Sequence, residues 1–210
     1  MRAAVLALEG AAPAELRRAV VLATPFDREA LLVAVDGGLA TCRSVRRRPD
    51  LFVGDLDSTP VPPRGIASRI YPAAKDFSDF SGALDAARQL GAEVVVVAGL
   101  LGGRLDHEWA NILEVGASAR GFAGLLAPTS RGLIVVTAVG ARMRMAGQRT
   151  VSLFALGRGA RVSLRGATWT LSKRWLAPGS LGLSNVAGGD VTLDVHVGVA
   201  MLVFPDPVFD

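Results

Sequence analysis

Asp55 and Asp57 flank a single residue in Gly54-Asp55-Leu56-Asp57-Ser58, so on extended backbone their carboxylates point the same way and can share a cation. Oxygen ligands, no spare cysteine, and His107 as the only nearby histidine suit magnesium. A second acidic pair, Asp76 and Asp79 in Lys75-Asp76-Phe77-Ser78-Asp79, has the three-residue spacing that shares one face of an opening helical turn. A third group, Gly102-Gly103-Arg104-Leu105-Asp106-His107, combines a glycine turn with a cation and a carboxylate, and Asp36 stands before Gly37-Gly38. Among these acids Lys75 and Arg104 are the cations: a compact ammonium suits a phosphate oxygen, and a guanidinium fork suits bidentate phosphate contact. Acids for Mg²⁺, cations for phosphate and a glycine turn at a helix start describe nucleotide-dependent phosphoryl transfer. No Gly-Lys-Ser/Thr is present, which excludes a Walker A loop, and the glycine turn lacks the spacing of a dinucleotide fingerprint. Each group also has a plainer reading: Asp106 as a helix cap, Asp76 and Asp79 as dipole partners of a helix, and Asp55 and Asp57 as turn residues.

What favours chemistry is where the elements put these groups. Short apolar runs at residues 3–8, 31–35, 51–53, 69–71 and 93–98, the last containing four consecutive valines, read as strands covered on both faces. Helical spacing is predicted from Pro13 to Leu22, from Ser78 through Phe80, Ala83, Leu84, Ala87 and Leu90, and along Leu105, Trp109, Ile112 and Leu113. Alternation of strand and helix predicts a parallel sheet with helices on both faces. Asp36, Asp55, Asp57 and Asp106 each follow the carboxyl end of a predicted strand, and Asp76 and Asp79 follow another after a short loop. Ligands of open parallel sheets bind outside those ends, so four loops deliver carboxylates to one edge.

From about Gly124 the chain changes to short apolar runs separated by turns, several bearing glycine, such as Gly157-Arg158-Gly159 and Gly188-Gly189-Asp190. These predict an antiparallel β-sandwich. The expected division is an α/β catalytic domain over 1–125 and a β-sandwich over 126–210.

With 210 residues, half of them hydrophobic, the chain can bury a substantial core. A net charge of +4 is spread over many arginines, and aromatics are 6% of the residues, which argues against a nucleic-acid surface. The triplet Arg46-Arg47-Arg48 reads as a solvated loop. One cysteine, Cys42, excludes an internal disulfide and fits a reducing compartment. The first apolar run ends at Glu9, too short for a secretory signal, and no stretch has the length of a membrane span. The expectation is a cytoplasmic protein without membrane or nucleic-acid partners.

In order, Asp36-Gly37-Gly38, the Asp55–Ser58 loop, Lys75 to Asp79, and Gly102 to His107 resemble the thiamine pyrophosphokinase family. The likeness continues in Gly166-Ala167-Thr168-Trp169 and Gly179 to Asn185 and spans about residues 30–204. The resemblance implies an α/β domain followed by a β-sandwich, a homodimer with thiamine near the subunit interface, and transfer of the pyrophosphoryl group of ATP to the thiamine hydroxyl. By it Asp55, Asp57 and Asp79 hold Mg²⁺. Asp36, Gly37, Gly38, Ser58, Lys75, Asp76, Gly102, Gly103, Arg104 and Asp106 line the nucleotide and phosphate site, with Asp79 or Asp106 serving the alcohol. Ser184, Asn185 and Trp169 lie by thiamine. Two departures from the family pattern are Ser78 where threonine is common and Thr170 where asparagine is. Rival readings are a pyrophosphokinase for another heterocyclic alcohol, such as a hydroxymethylpterin, and a nucleotide-binding regulatory protein without turnover.

Overall fold

The structure, a computed structural model, describes residues 1–57, 61, 63–140, 142–145 and 148–205. It contains two compact units: Met1–Glu114 with Ala127–Thr129, and Val115–Leu126 with Ser130–Asp210.

The first unit alternates β1 (Ala3–Ala7), α1 (Pro13–Ala23), β2 (Leu31–Val35), α2 (Gly38–Ser44), β3 (Leu51–Gly54), β4 (Ala67–Ile70), α3 (Asp79–Gln89), β5 (Val94–Ala98) and the start of α4 (Leu105–Ser118). Parallel pairing gives the order β5-β1-β2-β3-β4. Register aligns the carboxyl ends, with Ala7 opposite both Ala34 and Ala98, and Gly54 opposite Ile70. The central strands are apolar along their whole length because both faces are covered: β1 and β5 are buried at every position. Edge strand β4 is the exception, with the polar sequence Ala-Ser-Arg-Ile and mostly exposed side chains. Helix α2 has seven residues and little apolar period, so it gives no sequence signal.

In α4 the helical period is real but its expected direction is reversed. Leu105, Trp109 and Leu113 are 71%, 64% and 69% exposed, and Val115 is the buried residue of this helix. The apolar stripe therefore faces away from the core.

The second unit holds β7 (Gly132–Ala138), β8 (Arg142–Met145), β9 (Gln148–Ala167), β10 (Leu171–Leu176) and β11 (Gly182–Phe204); β6 (Gly124–Thr129) is divided between the units. Where several short strands separated by glycine turns were expected, β9 and β11 run on for 20 and 23 residues. The glycines act as bends within them. Gly157 and Gly159 have φ of 65° and 123°, and at this point the partner of β9 jumps from Val199 opposite Leu156 to Gly198 opposite Ala160. Consequently the first half of β9 lies between the start and the end of β11, with β7 beyond, while its second half lies between β10 and the middle of β11, with β8 beyond. Two antiparallel layers built from shared strands satisfy the sandwich expectation, with Val151, Leu153, Leu164, Leu193 and Leu202 buried. Among the described residues no helix is long and apolar enough to cross a membrane.

Candidate active site

The carboxyl edge of the first unit opens into a cleft of about 790 Å³. It lies where the chain departs from β1 toward β2 on one side and β5 on the other, the switch point at which open sheets bind ligands. Its walls include Glu9 and Gly10 after β1, Asp36 after β2, Asp57 after β3, Ser78, Asp79 and Phe80 at the start of α3, and Gly103, Arg104, His107, Glu108 and Asn111 around the start of α4.

Local geometry explains how the acids arrive. Asp36 leaves β2 in the left-handed region, φ 44°, while its N–H still donates to Val53 O at 2.8 Å; the reversal turns its carboxylate toward the β3 loop. Gly38 then opens α2 against β1: a Cβ there would sit 1.9 Å from Ala7 O, a buried backbone atom. Gly38 is thus required for packing. Gly38→Ala is expected to destabilise by about 2–3 kcal/mol through overpacking, read as a lower denaturation midpoint with unchanged slope.

Asp36, Asp55 and Asp57 each offer a carboxylate oxygen, and the three atoms lie within 4.8 Å of one another. Three hard oxygen donors converging in this way fit a magnesium-type ion. The sequence paired Asp55 with Asp57 but placed Asp36 with the nucleotide; only the turn at Asp36 reveals its proximity. Asp79 faces Lys75 instead. Lys75 Nζ donates to Asp55 Oδ2 at 2.7 Å and lies 3.3 Å from Asp79 Oδ1, with all three side chains largely buried. The hydrogen bond from Lys75 holds the Asp55 carboxyl below its ordinary range. Burial alone would push Lys75 down, but the carboxylates of Asp55 and Asp79 outweigh it and its ammonium is held above its ordinary value. Asp79 is pushed up, first by burial and further by the nearby Asp55 and Asp36 charges, against the opposing pull of Lys75.

Across the cleft, Arg104 forms a bidentate pair with Asp106, Nε to Oδ1 3.1 Å and Nη2 to Oδ2 2.6 Å, in an exposed setting. That pairing lowers Asp106 and raises Arg104. Gly102 has φ 106°, and a Cβ at Gly102 or Gly103 would meet nothing within 4 Å, so the turn is open above both. Gly102 N donates to Glu108 Oε1 at 2.5 Å, and Asn111 Nδ2 donates to Leu100 O at 3.1 Å.

Of the residues expected at the metal and nucleotide sites, Asp36, Asp57, Asp79, Gly103 and Arg104 line the cleft. Asp55 and Lys75 stand behind them as an ion pair, Asp76 is exposed away from the lining, and Ser58 lies outside the described residues. Glu9, Glu108 and Asn111 were missed. Glu9 does follow the carboxyl end of β1 as the other acids follow their strands, and Arg104, His107, Glu108 and Asn111 repeat at helical spacing; both signals were in the sequence.

In the second unit, Asn185 is 6% exposed and its amide clamps the Trp169 backbone: Trp169 N donates to Oδ1 at 3.0 Å and Nδ2 donates to Trp169 O at 2.8 Å. Val186 N also donates to Oδ1, at 2.9 Å. The Trp169 ring itself is 63% exposed, and Trp109 and Trp175 are exposed as well. Ser184 is held at φ 56° with its N–H on Ser152 Oγ at 3.0 Å.

Comparison with known proteins bears on the fold and on the sequence of the first unit. The fold matches thiamine pyrophosphokinase from Bacillus subtilis with a TM-score of 0.77 at 19% identity, covering 99% of this chain and 100% of that one. It matches thiamin pyrophosphokinase from Geobacillus thermodenitrificans with a TM-score of 0.73 at 21% identity, over 99% of each chain. The enzyme from Candida albicans gives 0.73 at 14% identity, over 98% and 89% of the two chains. No curated protein matches significantly by sequence. At these identities the structures speak for the fold, and the sequence itself supplies the rest: residues 23–119, which carry Asp36, Asp55, Asp57, Lys75, Asp79, Arg104 and Asp106, match the family model of the thiamin pyrophosphokinase catalytic domain. Residues 23–119 are thus similar in sequence to the thiamin pyrophosphokinase catalytic domain.

Proposed function

We propose that this protein transfers the pyrophosphoryl group of ATP to the hydroxyl of thiamine, giving thiamine diphosphate and AMP. The observation that carries the reading is the convergence of the Asp36, Asp55 and Asp57 carboxylates in a cleft whose loops match the family's catalytic domain. Among the described residues, Glu9, Asp36, Asp57, Asp79 and Glu108 line that cleft against one basic side chain of the Lys/Arg type, Arg104. A triphosphate entering alone would meet net repulsion, so the lining calls for a divalent cation to accompany it. Asp36, Asp55 and Asp57 would hold Mg²⁺, which would supply Lewis-acid stabilisation of the charge on the reacting phosphates.

The chain's own groups do the remaining work. Lys75 keeps Asp55 ionised and oriented. Arg104 offers its fork to the phosphates, exchanging Asp106 for them. Of the two carboxylates that could take the alcohol proton, Asp79 is the better base, because burial raises it while Arg104 lowers Asp106. A base works ionised, so kcat/KM should rise with pH through the Asp79 value, an acid limb lying above the ordinary aspartate range. Asp79→Asn should remove that limb and lower kcat by roughly 10²- to 10⁴-fold; a pH–rate profile with an unchanged limb would assign the proton elsewhere.

Trp169 presents an exposed ring on which a thiazolium or pyrimidine can stack, and Asn185 serves by fixing the Trp169 backbone. A homodimer is supported by the apolar stripe of Leu105, Trp109 and Leu113, which a second copy would cover. Incubation of ATP and Mg²⁺ with thiamine, or with a hydroxymethylpterin, tests the substrate. AMP should accumulate with thiamine; AMP only with the pterin would overturn the reading.

A further inference from the structure

The glycine turn that opens α4 is occupied by the chain itself. Gly102 N–H donates at 2.5 Å to the Glu108 carboxylate reaching back from the helix, while the neighbouring Arg104 is held by Asp106. Glu108 lines the cleft beside Gly103, Arg104 and His107, and no cation pairs with it among the described ion pairs. A Cβ built on Gly102 or Gly103 meets no atom within 4 Å, so the space above the turn is open to an anion.

We infer that Glu108 is a specificity-determining residue: its carboxylate competes with ligand phosphate for the Gly102 N–H and sets a charge threshold for binding. The inference rests on the nucleotide reading of the cleft. A ligand that displaces Glu108 leaves an unneutralised carboxylate beside its own charge, so it must make strong enough contacts elsewhere to offset this. A triphosphate accompanied by a divalent ion reaches the acidic triad and the turn together. A nucleoside monophosphate has one phosphate and cannot do both. After transfer, the return of Glu108 to Gly102 N–H favours release of AMP over its retention.

Glu108→Gln tests this directly, because glutamine keeps an acceptor oxygen for Gly102 N–H and removes the charge. Binding of ATP with Mg²⁺, and separately of AMP, is measured by calorimetry without thiamine. The variant is expected to bind AMP roughly three- to fivefold more tightly than the wild type, the scale of one exposed charge contact, and ATP also more tightly. Under turnover, product inhibition by AMP should strengthen. A role confined to capping the helix predicts equal or weaker binding and would overturn the inference while leaving the nucleotide site intact. Absence of ATP binding to the wild type would overturn the site and the inference together. Glu108→Ala, which loses the acceptor as well, should still tighten AMP binding; weaker AMP binding there, with no gain in the glutamine variant, would identify Glu108 as a cap.

Discussion

Lys75→Met is expected to destabilise the protein by about 2–3 kcal/mol at neutral pH and to lower kcat/KM at least 10²-fold. The side chain is 8% exposed and stands 2.7 Å from Asp55 and 3.3 Å from Asp79, whose side chains are 11% and 19% exposed. Breaking a buried pair by deleting one partner leaves the other charge uncompensated, an effect of about 3–5 kcal/mol when burial is complete. Here burial is incomplete and the acids can protonate, which brings the figure down. The pH dependence has a fixed sign. Asp55 is held low, so its contribution is present above its ordinary value of 3.8 and is lost as pH falls through the folded value. Lys75 is held high, so its share is present below 10.5 and is lost as pH rises through the folded value. Denaturant titrations of the two proteins should therefore differ most between these limits and converge in acid. A constant difference at every pH would mean that methionine acts through packing, and the ion pair would not be what stabilises this corner.

Asp57→Asn is expected to abolish turnover, by roughly 10³-fold or more, with stability changed by less than about 1 kcal/mol. Asp57 is exposed, its carboxylate shares the 4.8 Å cluster with Asp36 and Asp55, and Asp36 is buried in the same corner. Removing one charge from three like charges relieves repulsion, while a neutral amide is a poorer ligand for a hard divalent ion. The neighbouring Asp55→Asn change should differ, because it also removes the charge paired with the buried Lys75 ammonium and so destabilises as well as inactivates. Excess Mg²⁺ should partly restore Asp57→Asn and leave the unfolding midpoint of Asp55→Asn low. Melting curves and AMP production over a range of Mg²⁺ separate the two; equal loss of stability in both variants would contradict the assignment.

The sequence placed these acids because a parallel sheet has few places to put a polar residue. When a strand is apolar on both faces, the first carboxylate after it is at the sheet edge, so Asp36, Asp55 and Asp57 were legible as a group. Which of them meet was not legible, since Asp36 joins the pair through a left-handed backbone turn that its spacing in the sequence does not signal. Lys75 was expected among the phosphate groups; its contact with Asp55 across 20 residues depends on loop geometry that no spacing rule contains. In α4 the period of Leu105, Trp109 and Leu113 gave a helix correctly, but periodicity identifies an apolar face without saying what covers it. In the second unit, glycine marks turns and strand bends alike, so Gly157 and Gly159 read as a turn until pairing showed a bulge inside β9. Asn185 gave no sign of clamping Trp169, because its partners are backbone atoms 16 residues away.

The most direct test follows the phosphorus atoms. With ATP labelled at the γ-phosphorus, together with thiamine and Mg²⁺, attack at the β-phosphorus carries the label into thiamine diphosphate and leaves unlabelled AMP. Label recovered in thiamine monophosphate alongside ADP, or as free phosphate without a thiamine ester, would contradict pyrophosphoryl transfer at this acidic edge.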